Sequence, residues 1–151
     1  MSAQQSTVIF SPATGKIRRR PLREFARTLQ TEITGGRAFD VLMADDAELE
    51  RLNREFRKKP YPTDVLSFGS GKAEGFLGEI AISEDRAAAQ AIEHGHSKDC
   101  EIRILMLHGV LHLTGLDHDS DGGGYNKMAR AERRWRKHFG LPAGLIERAC
   151  A

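Results

Sequence analysis

At 151 residues the chain fits one compact domain with a sizeable core. With 40% hydrophobic, 29% charged and 7% aromatic residues, it is too apolar for a disordered chain and too broken by charge for a membrane span. A net charge of +2 does not by itself indicate a nucleic-acid partner. Distribution says more: Lys and Arg gather at 16–27, 54–59 and 127–138, and acids at 40–55 and 117–121. Each basic cluster suits a phosphate backbone or simply a solvated helix face. Residues 1–15 lack a basic start followed by an apolar run, so no secretory signal is expected. Cys100 and Cys150 form no CxxC pair, which fits a reduced cytoplasmic compartment better than a disulfide scaffold.

Thr7 to Phe10 reads as a first short strand. Pro21 opens a helix through about Ile33, with Leu22, Phe25, Ala26, Leu29 and Ile33 at helical spacing and Gly35-Gly36 as its stop. Ala38 to Ala44 is a second strand. Asp45 or Asp46 then caps a helix in which Leu49, Leu52 and Phe56 share a face, ended by Pro60 and Pro62. Val65 to Phe68 and Phe76 to Ile82 are the third and fourth strands, with Ser67 to Gly75 as their connection. Ser83 caps a helix to about Glu93, its first turn carrying Glu84 and Asp85, which favour the helix dipole. From Ile102 to Leu113 nearly every residue is apolar, the mark of a helix buried on all sides. After Gly122-Gly123-Gly124, a basic amphipathic helix runs from Tyr125 to Phe139. The expected fold is α+β: a single domain over residues 1–151, with a mixed, roughly four-stranded sheet and about five helices, the buried one central.

The chemistry concentrates in HGVLHLTGLDH, residues 108–118. His108 and His112 are four apart, so on a helix they differ by ~40° in direction and ~6 Å in height. Both imidazoles can then reach one metal ion. His118 would be carried about 120° away and ~9 Å further if the helix continued. Gly115 removes that obstacle, because glycine takes the left-handed conformation that ends a helix and lets the chain turn back. Three neutral imidazoles and an open fourth position make a catalytic zinc site, one ion per chain. A lone buried histidine is ordinarily a satisfied core residue. Here three of the six histidines lie within eleven residues at ligand spacing, two of them in an apolar helix. Asp117 or Asp119 would close the site if the metal were structural; Asp117 is otherwise a candidate to orient an imidazole. The spacing is also that of the metzincin proteases, except that their glutamate base is Gly109 here. Glycine at that position admits a close approach by substrate or another backbone segment.

HGVLHLTGLDHD, with FRKKPYPTDVLSF (56–68) and LGEIAIS (77–83), resembles the bacterial YbeY family of ribosomal RNA maturation endoribonucleases. The blocks stand in the family's order and cover roughly residues 40–128. The resemblance implies a zinc ion on His108, His112 and His118 and single-strand-directed cleavage of RNA. It further implies maturation of ribosomal RNA, including the 3′ end of 16S rRNA, and ribosome quality control. Ribosomal RNA, the small subunit and its associated proteins are the implied partners. Arg57 matches the family's arginine ahead of TDVLSF, to which a catalytic or RNA-binding role is assigned. Gly69, Leu116 and Glu79 stand where proline, tyrosine and aspartate are common.

In the division of labour this suggests, Arg57 holds the scissile phosphate with its planar fork. Lys58 and Lys59 are candidate guides for the RNA backbone. Arg133, Arg134 and Arg136, near Trp135, read more readily as a solvated helix face. No general base is identifiable. The alternatives are a metalloprotease or other small hydrolase, and a non-catalytic ribosome-assembly factor with a structural metal.

Overall fold

The computed structural model describes residues 4–12, 15–70, 75–115 and 123–142, with backbone alone at 123–126. Strand β1 (Thr7–Phe10) runs parallel to β2 (Ala38–Ala44), and β2 runs parallel to β4 (Phe76–Ser83). Strand β3 (Val65–Gly69) pairs antiparallel with β4, giving a mixed sheet of order β1-β2-β4-β3. The helices are α1 (Arg19–Glu32), α2 (Asp46–Arg57), α3 (Glu84–His94), α4 (Lys98–Leu113) and α5 (Gly123–His138).

Alternation along the strands sorts the side chains onto two faces. Val8, Val41, Met43, Ile80 and Ile82 enter the main core with α1, α4 and α5. On the other face Ala44, Leu66 and Ala81 meet Leu49 of α2. Helix α4 lies between the sheet and the outer helices. Its Ile102, Ile104, Met106, Leu107 and Val110 are all buried, as expected of a helix without a polar face. Each such burial stabilises by about 1.5–3 kcal/mol relative to exposure, which makes α4 the axis of the core. No helix among the described residues is long and apolar enough to cross a membrane.

Side-chain caps explain three helix starts. Asp45 accepts from the Glu48 amide at 2.9 Å, Ser83 from Arg86 at 3.1 Å, and Ser97 from Cys100 at 3.0 Å. Several boundaries differ from the sequence expectation. Helix α1 begins at Arg19, with Pro21 in its first turn, where a missing N–H breaks no helical bond. Helix α5 takes in Gly123 and Gly124 rather than starting after them. Phe56 is 58% exposed and sits T-shaped to the Phe68 ring, at 5.4 Å between centroids. Helix α2 stops at Lys58, which adopts the left-handed conformation (φ 59°) two residues ahead of Pro60. The amides of Lys58 and Lys59 both return to the carbonyl of Asn53, and the buried Asn53 amide donates to Tyr61 O at 2.8 Å. The last turn of α2, which carries Arg57, is thereby fixed.

Strand β3 runs one residue further than expected, through Gly69, which pairs with Gly78. A Cβ at Gly78 would stand 2.1 Å from the Phe68 carbonyl oxygen, and its φ of +149° also disfavours a side chain. Glycine there lets β3 and β4 close tightly beneath the site.

Candidate active site

His108 and His112 project from the last two turns of α4. Their Nε2 atoms are 3.1 Å apart and their ring centroids 4.6 Å apart. Two imidazole nitrogens on one tetrahedral zinc ion, each at about 2.0–2.1 Å, would be separated by about 3.3 Å. The pair therefore fits two of the ligands of a single ion with almost no movement. His118, Asp117 and Asp119 lie outside the described residues. Among the described residues no cluster of three or more His, Cys, Asp or Glu side chains forms a complete metal site.

Gly115 has φ +95°, and its amide donates to His112 O at 3.0 Å. The left-handed stop read from the sequence is in place. Among the described residues nothing lies within 4 Å of where its Cβ would be, and the positive φ itself calls for glycine.

Gly109 has a different reason. A Cβ there would meet the Ile80 side chain at 2.8 Å, so glycine lets α4 settle onto β4. What approaches is a core side chain, neither substrate nor backbone. Position 109 thus faces the buried sheet, where a protease's glutamate base would be driven into apolar packing without room or water.

Arg57 arrives from α2. It donates to the carbonyl of Ser67, and its guanidinium carbon lies 5.6 Å from the centre of the Phe68 ring. The Ser67 hydroxyl makes a long contact, 3.4 Å, to Gly109 O, so β3 bridges Arg57 to the histidine helix. Arg57, Val65, Ser67, Gly69, His108 and His112 line one cavity of about 460 Å³. Lys58 and Lys59 are exposed and do not line it. Glu79 is exposed, and its neighbour Ile80 faces the core.

The sequence reading missed Glu132. This α5 residue is 1% exposed, and its Oε2 lies 3.2 Å from His108 Nδ1. Its Oε1 accepts from Arg136 at 2.7 Å, and Arg136 is fully buried. Arg136 is therefore part of the core, not of a solvated face, whereas Arg133 and Arg134 are exposed. The available signal was the four-residue step Glu132–Arg136 beside Met128 and Ala131, on the apolar side of an otherwise basic helix. Burial pushes the Glu132 carboxyl up, but the hydrogen bond from His108 and the charge and hydrogen bond of Arg136 outweigh it and hold it below the usual carboxylate range. With its folded pKa depressed, Glu132 contributes stability above the ordinary carboxylate range. That contribution is lost as pH falls through the folded value.

A family model described as Endoribonuclease YbeY matches residues 2–140. A curated Endoribonuclease YbeY of Solibacter usitatus is 56% identical over 147 residues, 97% of each chain. That of Koribacter versatilis is 51% identical over 108 residues, 72% of this chain and 68% of its own. That of Nautilia profundicola is 46% identical over 110 residues, 72% and 77%. A solution structure of a Thermotoga maritima protein superposes with a TM-score of 0.57 at 23% identity, covering 89% of this chain and 93% of that one, a likeness of fold.

Proposed function

This chain belongs to the YbeY family of endoribonucleases and is a hydrolase that cleaves RNA internally, and we propose that it does so with one zinc ion held by His108, His112 and His118. The proposed setting is the cytoplasm, where the substrate is single-stranded ribosomal RNA, including the 3′ end of 16S rRNA, on or near the small subunit and its proteins. The observation that carries the reading is the shared cavity: two convergent imidazoles with zinc-compatible spacing and one arginine reaching the same space.

When bound, zinc supplies Lewis acidity toward water and phosphate oxygens. The chain's own residues do the rest. His108 and His112, on a rigid buried helix, present their Nε2 atoms at fixed spacing. Arg57, its last helical turn clamped by Asn53, offers a planar fork to the scissile phosphate and stabilises charge developing there. Lys58 and Lys59, outside the cavity, are proposed to meet the flanking backbone and to add salt-sensitive affinity.

The test is to incubate zinc-loaded protein, and a variant with all three histidines changed to alanine, with ribosomal RNA and with casein. Cleavage of RNA alone, abolished in the variant, is the expected result. Cleavage of casein, or RNA cleavage that survives the triple change, would overturn the reading.

The route to His118 has its own check. Gly115→Val removes no ligand, yet valine resists positive φ, so zinc affinity is expected to fall while the fold persists. Unchanged zinc content would show that the third ligand is reached along another path.

A further inference from the structure

We propose that Glu132 is the positioning residue that prepares His108 for the metal, with Arg136 holding Glu132 in place; the inference rests on the metal-site reading above. An imidazole has two tautomers, and only the one protonated at Nδ1 leaves the Nε2 lone pair free to ligate. Ionised Glu132 has no hydrogen to give, so its 3.2 Å contact with His108 Nδ1 requires Nδ1 to carry the proton. His108 Nε2 is then the lone-pair side, and Nε2 is the atom that points toward His112.

The carboxylate is itself constrained. Its other oxygen accepts from Arg136 four residues further along α5, and both side chains are essentially removed from solvent. A buried Arg–Glu pair is an expensive way to join two helices, because both ions are desolvated. Apolar residues of similar size would pin α5 to α4 at least as well. The pair instead supplies what apolar packing cannot: an acceptor held on the ring nitrogen that does not ligate, which fixes both the tautomer and the ring plane. The ion pair is thus joined to the ligand set through His108, although α5 contributes no ligand among the described residues.

Glu132→Gln, nearly isosteric, and Glu132→Asp, which keeps the charge on a shorter arm, test this. Zinc affinity is measured by competition with a chelator of known strength. The metal-free tautomer of His108 is read from its ring nitrogen chemical shifts at alkaline pH. Circular dichroism and the melting temperature of the metal-free forms report the fold. The expected result is an Nδ1–H tautomer in the wild type and a 10- to 100-fold loss of zinc affinity in Glu132→Gln. Glu132→Asp should recover part of that loss, and the folds should stay intact. An Nε2–H tautomer in the wild type, or a folded Glu132→Gln that binds zinc as tightly as wild type, would overturn the proposal alone. Folded wild-type protein that takes up no zinc would remove the metal reading, and this proposal with it. A variant too unstable to fold is replaced by the wild-type tautomer measurement, which decides without it.

Discussion

Arg57→Ala is expected to retain its zinc and its melting temperature and to lose about 10²–10³ in the single-turnover rate of RNA cleavage, or roughly 3–4 kcal/mol of transition-state stabilisation. The fold should tolerate the change because Arg57 is exposed and its partners are a carbonyl and one ring face. An exposed cation over an aromatic ring contributes only about 0.5–1 kcal/mol. Arg57→Lys should rescue in part, since a point charge replaces a fork. A merely electrostatic tether behaves differently: saturating RNA would restore the rate. The measurement is single-turnover cleavage of a single-stranded RNA at several enzyme concentrations, with zinc content determined in parallel. Wild-type rates in Arg57→Ala would remove Arg57 from the chemistry.

His112→Ala is expected to bring zinc from about one equivalent per chain to near zero, and cleavage with it. Two imidazoles seldom retain a zinc ion that three hold against a chelator. The fold should survive, because His112 is only half-buried and faces the cavity rather than the α4–β4 packing. Elemental analysis of the purified proteins decides. Well-folded wild-type protein without metal after reconstitution with zinc would refute the assignment of His108, His112 and His118 together.

Much of the architecture is legible in the sequence because it rests on short-range rules. The short, almost wholly apolar run Ala38 to Ala44 and the longer one in α4 each mark a buried element, and Asp45 and Ser83 cap as their side chains dictate. Boundaries were less legible where the deciding contact is distant. Lys58 ends α2 because the chain must return to Asn53 and Tyr61, which no local preference for lysine announces. Phe56 has helical spacing but stays 58% exposed, beside the Phe68 ring of β3. At the site, the spacing of His108 and His112 could be read from helix geometry, and Arg57 from its motif. Glu132 was harder to read, because its partner is 24 residues away and a Glu–Arg step on a basic helix ordinarily marks a solvated surface, with only the apolar neighbours Met128 and Ala131 to suggest otherwise. Gly109 showed where a side chain was missing, but only the packed structure identifies Ile80 as the reason.

The helix that carries His108 and His112 is also largely enclosed, with nine of its sixteen residues buried. Chemistry is commonly mounted on loops, which open and close independently of the scaffold. Here the two imidazoles stand on a helix whose other side chains pack into the main core, so their mutual spacing holds only while that packing does. Occupancy of the site and survival of the native state therefore share a single equilibrium. Any ion that binds the native form alone raises its free energy of unfolding in proportion to the logarithm of its concentration. A cell short of that ion would hold fewer folded copies of the enzyme, not merely fewer active ones.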